Sequence, residues 1–239
     1  MQAATDRFTT AHLDRLGVAP GWRCLEVGAG AGSIAAWLAR RAGAAHVVAT
    51  ELNTDFLAAL RELGVRVERH DIAADPPVST DLDIIHARAV LEHLPARQDV
   101  LGRLVSWLRP GGWLLIEEVS FLPAAATHPV VERVSKAVIE VMASTVGSDF
   151  AWARTLPLPL EEAGLAEVDA VISNQVLRGG NAVAAALVAT IRGAAPLLLQ
   201  SGLVSKSDVD EFTELLGDRS FVDHCLTIVA AWGRRPAGQ

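Results

Sequence analysis

The sequence contains few of the residue types that mark several large classes of protein. Its 239 residues include no tyrosine, two cysteines and two lysines, Lys136 and Lys206. Two cysteines in apolar runs give neither a disulfide framework nor a thiolate metal site. The net charge is −7 and there is no basic stripe, which argues against a nucleic-acid partner. These absences leave an ordinary globular protein with reduced core cysteines as the expectation.

No stretch of the chain is predicted to enter a membrane. The least charged run, residues 182–191, is followed by Arg192 and is shorter than the roughly 20 residues that span a bilayer. The N-terminal residues include Asp6 and Arg7 and lack the apolar core of a secretory signal. We therefore expect a cytoplasmic protein. Its hydrophobic residues, 51% of the chain, suffice for one large domain or one domain with a cap.

A glycine-rich loop is the most informative feature that is present. Gly28, Gly30 and Gly32 join an apolar run that begins at Cys24 to a helix that begins near Ser33. Glycine has no Cβ, so the backbone can turn sharply and a ligand can lie against it. The following helix directs its free N–H groups and its positive end toward that ligand. This arrangement predicts a site for a nucleotide-type cofactor.

Two acidic residues and the glycine spacing indicate which cofactor. Glu26 stands two residues before the first glycine, and Glu51 ends the next apolar run. Glu51 suits a ribose of either NAD or S-adenosylmethionine (SAM). The spacing is G-x-G-x-G, and Ser33 occupies the last place of the dinucleotide pattern, where glycine or alanine is required. Because Glu26 also suits the ammonium group of SAM, we predict SAM as the cofactor and S-adenosylhomocysteine as its product.

Four stretches in the same order resemble the class I SAM-dependent methyltransferases, in particular the small-molecule type of actinomycete secondary metabolism. They are residues 25–32, 70–72, 83–94 and 108–118. The match is good over residues 10–120 and loose beyond. In this family an Asp after the third strand holds adenine, which implies that role for Asp71. The cofactor set implied is Glu26, Gly28, Ala29, Gly30, Gly32, Glu51, Leu52, Asp71, Ile72, His86 and Arg88.

Strands and helices alternate along the chain, which predicts an α/β fold. With the resemblance, we expect a doubly wound, Rossmann-like sheet of seven mostly parallel strands, with the last strand antiparallel at its edge. Residues 1–120 would form the SAM-binding core and residues 121–155 a helical lid. Residues 156–239 would complete the sheet, and an insertion at 181–216 would add to the helical cap.

Catalysis needs little beyond alignment, because the methyl group of SAM is already activated. His86, at the end of the fourth strand, is the first candidate for a base, and His128 and Asp149 in the lid are further candidates. In this family the Glu92–His93 pair usually looks structural or adjacent to the cofactor.

Glu117 and Glu118 end the fifth strand, and one of them should face the site, since neighbouring strand residues point to opposite sides. No third acidic or amide ligand accompanies them. We therefore expect no metal.

The substrate is predicted from apolar residues that flank the expected pocket: Phe121, Met142, Phe150 and Trp152. An aromatic-lined cavity suits a small apolar or aromatic metabolite, methylated on oxygen or carbon. The nearly uncharged helix at 182–199 would be either a wall of the substrate tunnel or the face of a homodimer.

Two other functions remain open from the sequence. One is an NAD(P)-dependent oxidoreductase, which should show a proton donor such as tyrosine. The other is a catalytically silent SAM-binding partner or sensor, which should lack a cavity of substrate size.

Overall fold

The computed structural model describes residues 2–237, with side chains from Thr5 onward. The strands are β1 (Cys24–Val27), β2 (Val47–Glu51), β3 (Arg66–Arg69), β4 (Leu82–Arg88), β5 (Leu108–Phe121), β6 (Ala166–Arg178) and β7 (Val222–Arg234). The helices are α1 (Gln2–Arg15), α2 (Ser33–Ala42), α3 (Ala58–Glu62), α4 (Arg97–Trp107), α5 (Pro129–Val146), α6 (Leu158–Glu162), α7 (Ala182–Gln200) and α8 (Lys206–Leu215).

The seven strands form one sheet in the order β3-β2-β1-β4-β5-β7-β6. Strands β1 to β5 are parallel, and β7 is antiparallel to both β5 and β6. The doubly wound, mostly parallel sheet is therefore confirmed. The place of the last strand differs from the prediction, because β7 lies between β5 and β6 and the outermost strand is β6.

Apolar side chains cover both faces of the sheet. Helices α1, α2 and α3 cover one face, where Leu13 and Leu38 are fully buried. Helices α4 and α6 cover the other face, where Leu104 and Leu160 are fully buried. Because both faces are covered, the strand tips are left as the exposed edge of the sheet at which a ligand can bind.

Helices α5, α7 and α8 pack on one another in a third apolar cluster, which we call the helical cap. Val134, Leu187 and Phe212 lie in this cluster. The helix predicted over residues 182–199 is confirmed, because α7 runs from Ala182 through Pro196 to Gln200. By length and composition alone, α7 is the one helix among the described residues that could cross a membrane.

The end of β4 places the centre of the site. The strand runs to Arg88, and Ala89 then turns with φ 53°, a left-handed conformation that is unusual for a residue with a Cβ. The Ala89 N–H donates to the Glu117 carbonyl on β5 at 2.7 Å, which fixes the turn. Backbone strain of this kind often marks a functional position.

Candidate active site

Three cavities lie at the carboxyl ends of the parallel strands. The apolar chamber, of about 330 Å³, lies under the helical cap, the glycine-loop cavity of about 260 Å³ lies at the loop after β1, and the Asp71 cavity of about 230 Å³ lies beyond Glu51. Ala89 lines all three. Glu51 lines the two smaller cavities, and Val119 lines both the chamber and the glycine-loop cavity. The cavities are therefore neighbours that share walls.

The glycine loop has the backbone that only glycine adopts readily. Gly28 has φ 64°, and a Cβ at this position would lie 2.5 Å from Cγ2 of Val90. Gly28, Ala29 and Gly30 line the glycine-loop cavity, as predicted. Gly32 shapes the loop at the start of α2 instead, and a Cβ there would lie 2.8 Å from Leu60. The loop is thus a cradle of bare backbone at the edge of a cavity.

Glu51 holds the loop and faces two cavities. Its Oε2 accepts from the Gly30 N–H at 2.9 Å, and its Oε1 accepts from the Leu52 N–H at 2.8 Å. Leu52, Asp71 and Ile72 line the Asp71 cavity beside it. These residues lie where the sequence predicted a ribose and an adenine.

A chain of buried ionisable groups lies behind the glycine-loop cavity. Nδ1 of His86 lies 2.7 Å from Oε2 of Glu26, and its Nε2 lies 3.6 Å from Oε2 of Glu117. Glu117 also accepts a hydrogen bond from Thr9 and lies 3.4 Å from His12. Both carboxylates line the cavity, and His86 lies between them.

Burial alone would lower the pKa of His86, but the charges and hydrogen bonds of Glu26 and Glu117 outweigh it and raise that pKa to about 9. Burial would raise the pKa of Glu117, yet hydrogen bonds from His12, His86 and Thr9 lower it to about 2. These contacts favour the imidazolium form of His86 at neutral pH, beside an ionised Glu117.

Arg88 connects this cavity to α1. Its guanidinium donates to Asp6 at 3.0 Å and to the Thr9 hydroxyl at 2.9 Å. The Ser33 hydroxyl donates to the same Asp6 carboxylate at 3.0 Å. Thr5, one turn before Thr9, lines both the glycine-loop cavity and the chamber. Polar contacts thus hold the N-terminal half of α1 across the site.

The walls of the apolar chamber come from the cap and from the ends of the last three strands. Phe121, Met142 and Phe150 line it, as predicted, and Phe121 packs edge-on against Phe150 with ring centres 5.2 Å apart. Among the described residues that line it there is no Lys or Arg. The remaining lining residues are Thr5, Ala89, Glu92, His93, Val119, Val138, Gln175, Val183, Ala186, Leu187, Thr190, Ala194, Leu226 and Ile228.

His93 lines both the chamber and the Asp71 cavity. Its Nδ1 lies 2.9 Å from the Ser148 hydroxyl, and its Nε2 lies 3.5 Å from Oε1 of Glu92. Burial lowers the pKa of His93 below its usual 6.5, so the ring is neutral at pH 7. A neutral imidazole in the wall of a cavity can accept a proton.

Besides Gly32, four of the predicted site residues lie outside these cavities. His86 is fully buried below the tip of the sheet, because β4 continues two residues beyond it. His128 accepts from the Val130 N–H at the start of α5, and Asp149 accepts from the backbone N–H groups of Ala151 and Trp152, so both stabilise turns. Trp152 packs in the core beneath α4. None of the four is therefore among the described residues that line the three cavities.

Several lining residues were missed by the sequence analysis. Ala89 and Val119 follow directly on predicted site residues, so a wider window at each strand end would have found them. Gln175, Leu226 and Ile228 carry no local signal. Five further lining residues lie on α7, for which the only sequence signal was the helix's near lack of charge.

Comparison with known proteins bears on this site. Residues 25–114 match the family model of a methyltransferase domain. The chain is similar to methyltransferase Str2 of Strobilurus tenacellus, with 32% identity over 145 residues, or 58% of this chain and 51% of the relative. It spans about half the length, or less, of the curated relatives that it matches.

The fold resembles solved methyltransferases. One is phosphoethanolamine N-methyltransferase 2 of Haemonchus contortus, with bound phosphomonomethylethanolamine and S-adenosylhomocysteine (TM-score 0.63, 17% identity, 96% of this chain and 52% of that chain). Another is geranyl diphosphate C-methyltransferase of Streptomyces coelicolor A3(2) (TM-score 0.59, 16% identity, 96% and 78%). At these identities the structures establish the fold. Residues 25–114 are thus similar to a methyltransferase domain, and the sheet order and the glycine loop agree with that similarity.

Proposed function

We propose that this chain transfers the methyl group of SAM to a small, neutral and largely apolar molecule. The observation that carries the proposal is the meeting of the glycine-loop cavity and the apolar chamber at Ala89. A group held in one cavity can there face a molecule held in the other, which is the arrangement that an in-line displacement requires. A chamber of about 330 Å³ also argues against a silent SAM-binding partner.

The residues of the two smaller cavities fit SAM. Glu51 offers a carboxylate to two ribose hydroxyls, and Asp71 and Ile72 lie where adenine would bind. Glu26 and Arg88 line the other cavity, where they would face the ammonium and carboxylate of the amino-acid end. When bound, SAM supplies a methyl group already activated on a sulfonium. The bare backbone at Gly28 and Gly30 leaves room for it.

The chamber disfavours charged acceptors, because its lining offers little to neutralise their charge. An anionic acceptor would find no Lys or Arg among the described lining residues, and an ammonium would face mostly apolar side chains. A hydroxyl or a carbon nucleophile on an apolar skeleton meets neither cost. We therefore favour oxygen or carbon as the methylated atom.

His93 is the residue that we assign as proton acceptor. Among the described residues that line the chamber, the titratable ones are His93 and Glu92. With Nδ1–H donating to the Ser148 hydroxyl, Nε2 keeps its lone pair for the proton of an acceptor hydroxyl. The O–H bond then breaks, the new N–H bond forms on His93, and the electron pair stays on the attacking oxygen.

A labelled-methyl assay tests this function. Wild-type protein and the variant His93→Gln are supplied with SAM labelled on its methyl group and a panel of neutral aromatic and aliphatic alcohols. We expect transfer by the wild type and a fall in kcat of about 10²–10⁴-fold in the variant, because a general base is removed. The exposed His224 provides the matched control, His224→Gln, with wild-type rates.

Calorimetry with SAM and NADH separates the alternatives. Binding of SAM without transfer to any acceptor would favour the silent partner, and binding of NADH in place of SAM would favour the oxidoreductase. Transfer to an anionic acceptor but to no neutral one would contradict the acceptor class alone.

A further inference from the structure

A second pair of carboxyl groups is buried beside the chamber, apart from those at the glycine loop. Glu92 and Glu118 are each 1% exposed. Oε2 of Glu92 accepts from the Val119 N–H at 2.7 Å, and Oε1 of Glu118 accepts from the Leu91 N–H at 2.9 Å. One backbone bond on each side therefore fixes both groups, and two of their four oxygens remain for other partners.

The remaining oxygens bring the two carboxyl groups together. The backbone bonds run crosswise, from Val119 to Glu92 and from Leu91 to Glu118, so the two carboxyl groups lie close to each other, and among the described residues Oε2 of Glu118 has no hydrogen-bond partner. Two ionised carboxylates in contact and out of water repel strongly, so one proton must lie between them. Burial and the neighbouring charge raise the pKa of Glu118 well above its usual range, and burial raises that of Glu92 to about 7. The shared proton is therefore held more tightly by Glu118 than by Glu92.

Glu92 of this pair lies beside His93. Oε1 of Glu92 lies 3.5 Å from Nε2 of His93, the nitrogen left free for an incoming proton. The other charged groups on adjoining segments, Arg97 and Asp149, pair with each other at 3.6 Å, and Arg97 also donates to backbone carbonyls. Glu92 is thus the charged group that faces Nε2.

We propose that Glu92 and Glu118 form a proton-sharing acid pair that positions His93 and stabilises the imidazolium that it forms. The proposal rests on the proposed function. Glu118 keeps its proton and holds Glu92 in place, so that Glu92, once ionised above about pH 7, presents a single negative charge to Nε2. When the proton of the acceptor hydroxyl reaches Nε2, that charge lies 3.5 Å from the new cation. Glu92 and Glu118 are positioning residues, since they act through His93.

The test measures the titration of the His93 ring by NMR in the SAM-free protein. Glu92→Gln removes the charge and should lower the pKa of His93 by about 1 unit or more. Glu118→Gln keeps a donor to Glu92 that cannot titrate, so His93 should titrate as in the wild type. Glu118→Leu removes the donor, leaves Glu92 protonated at neutral pH and should lower the pKa of His93 as Glu92→Gln does. The exposed Glu140 supplies the control Glu140→Gln, with no change.

Turnover provides a second readout. Glu92→Gln should lower kcat by about tenfold at neutral pH, since one pKa unit corresponds to a factor of ten, and Glu118→Gln should shift the pH profile less than Glu92→Gln does. The proposed acid pair would be overturned if the pKa of His93 did not change in Glu92→Gln. It would also be overturned if that pKa changed equally in Glu118→Gln and Glu118→Leu, even with methyl transfer by the wild type. If Glu118→Leu does not fold, the contrast between the two glutamine variants still decides. A wild type without transfer would overturn the proposed function, and the pair with it.

Discussion

The two halves of the site are built in different ways. The glycine-loop and Asp71 cavities consist mainly of backbone turns and carboxylates at the tips of β1, β2 and β4. The apolar chamber takes its side chains from the cap, from β5, β6 and β7, from Thr5 on α1 and from the segment after β4. The glycine-loop and Asp71 cavities are formed by short sequence motifs. The apolar chamber forms only when segments that are distant in the sequence pack together.

The halves also differ in charge. Behind the glycine loop, Glu26, His86 and Glu117 form a buried charged chain, whereas the chamber wall has a single acidic residue, Glu92. Charged groups already buried beside the glycine-loop cavity suit a charged ligand, whereas the mostly apolar chamber suits a neutral one. Variants that affect one half and spare the other test this contrast.

The largest effect is expected from His86→Gln. The substitution leaves Glu26 and Glu117 as buried carboxylates without their shared cation, which should cost about 3–5 kcal/mol of folding free energy. Urea denaturation measures the loss. The exposed His46 gives the control His46→Gln, with a change within about 0.5 kcal/mol. A loss below 1 kcal/mol for His86→Gln would show that the charged chain contributes little to stability.

The same chain predicts a pH dependence of stability. The folded-state pKa of His86, about 9, lies above its ordinary 6.5, so the folded protein binds this proton more tightly. The stabilisation is complete below pH 6.5 and is lost as the pH rises through 9, by up to about 3 kcal/mol. Urea midpoints between pH 6 and 10 measure it. His86→Gln should flatten this slope, and a variant that keeps it would assign it to another group.

Filling the chamber should stop turnover and leave SAM binding intact. In Ala186→Trp an indole occupies the cavity wall, and we expect a fall in turnover of about 10²-fold or more, because the acceptor no longer reaches its position. Ala185 is exposed on the same helix, so Ala185→Trp is the matched control. A weaker affinity for SAM in Ala186→Trp, measured by calorimetry, would mean that the two halves are not separable.

The smallest effect is expected at the ribose position. Glu51→Gln removes a charged acceptor and should weaken SAM binding by about 10–100-fold, since a hydrogen bond to a charged group contributes about 1.5–3 kcal/mol. The KM for the methyl acceptor should not change. The exposed Glu62 serves as control in Glu62→Gln. Unaltered SAM affinity would remove Glu51 from the cofactor site.

The fold and the residues of the glycine-loop and Asp71 cavities could be predicted because their sequence signals are local. The sequence marks the turns that follow β1 and β3, at Gly28 and Asp71. His86 was assigned wrongly because the sequence does not tell how far β4 continues. Two more residues place the tip at Ala89 and leave His86 below the surface.

The chamber could be predicted only in part, because an apolar residue looks the same in a core and in a cavity wall. Phe150 and Trp152 are two residues apart, yet Phe150 lines the chamber and Trp152 packs beneath α4. His128 and Asp149 have side chains that could act in catalysis, but in the structure they accept hydrogen bonds from backbone N–H groups at a helix start and in a turn. Their hydrogen-bond partners depend on tertiary packing, which no local pattern contains.

The turn at Ala89 sets a limit on how this site can diverge. Glycine there would relax the left-handed backbone, and serine would add one atom to the opening between the cavities. A bulkier side chain at position 89 would block the opening where the three cavities meet. Changes in acceptor preference should therefore accumulate along α7 and the ends of the last strands, while position 89 stays small.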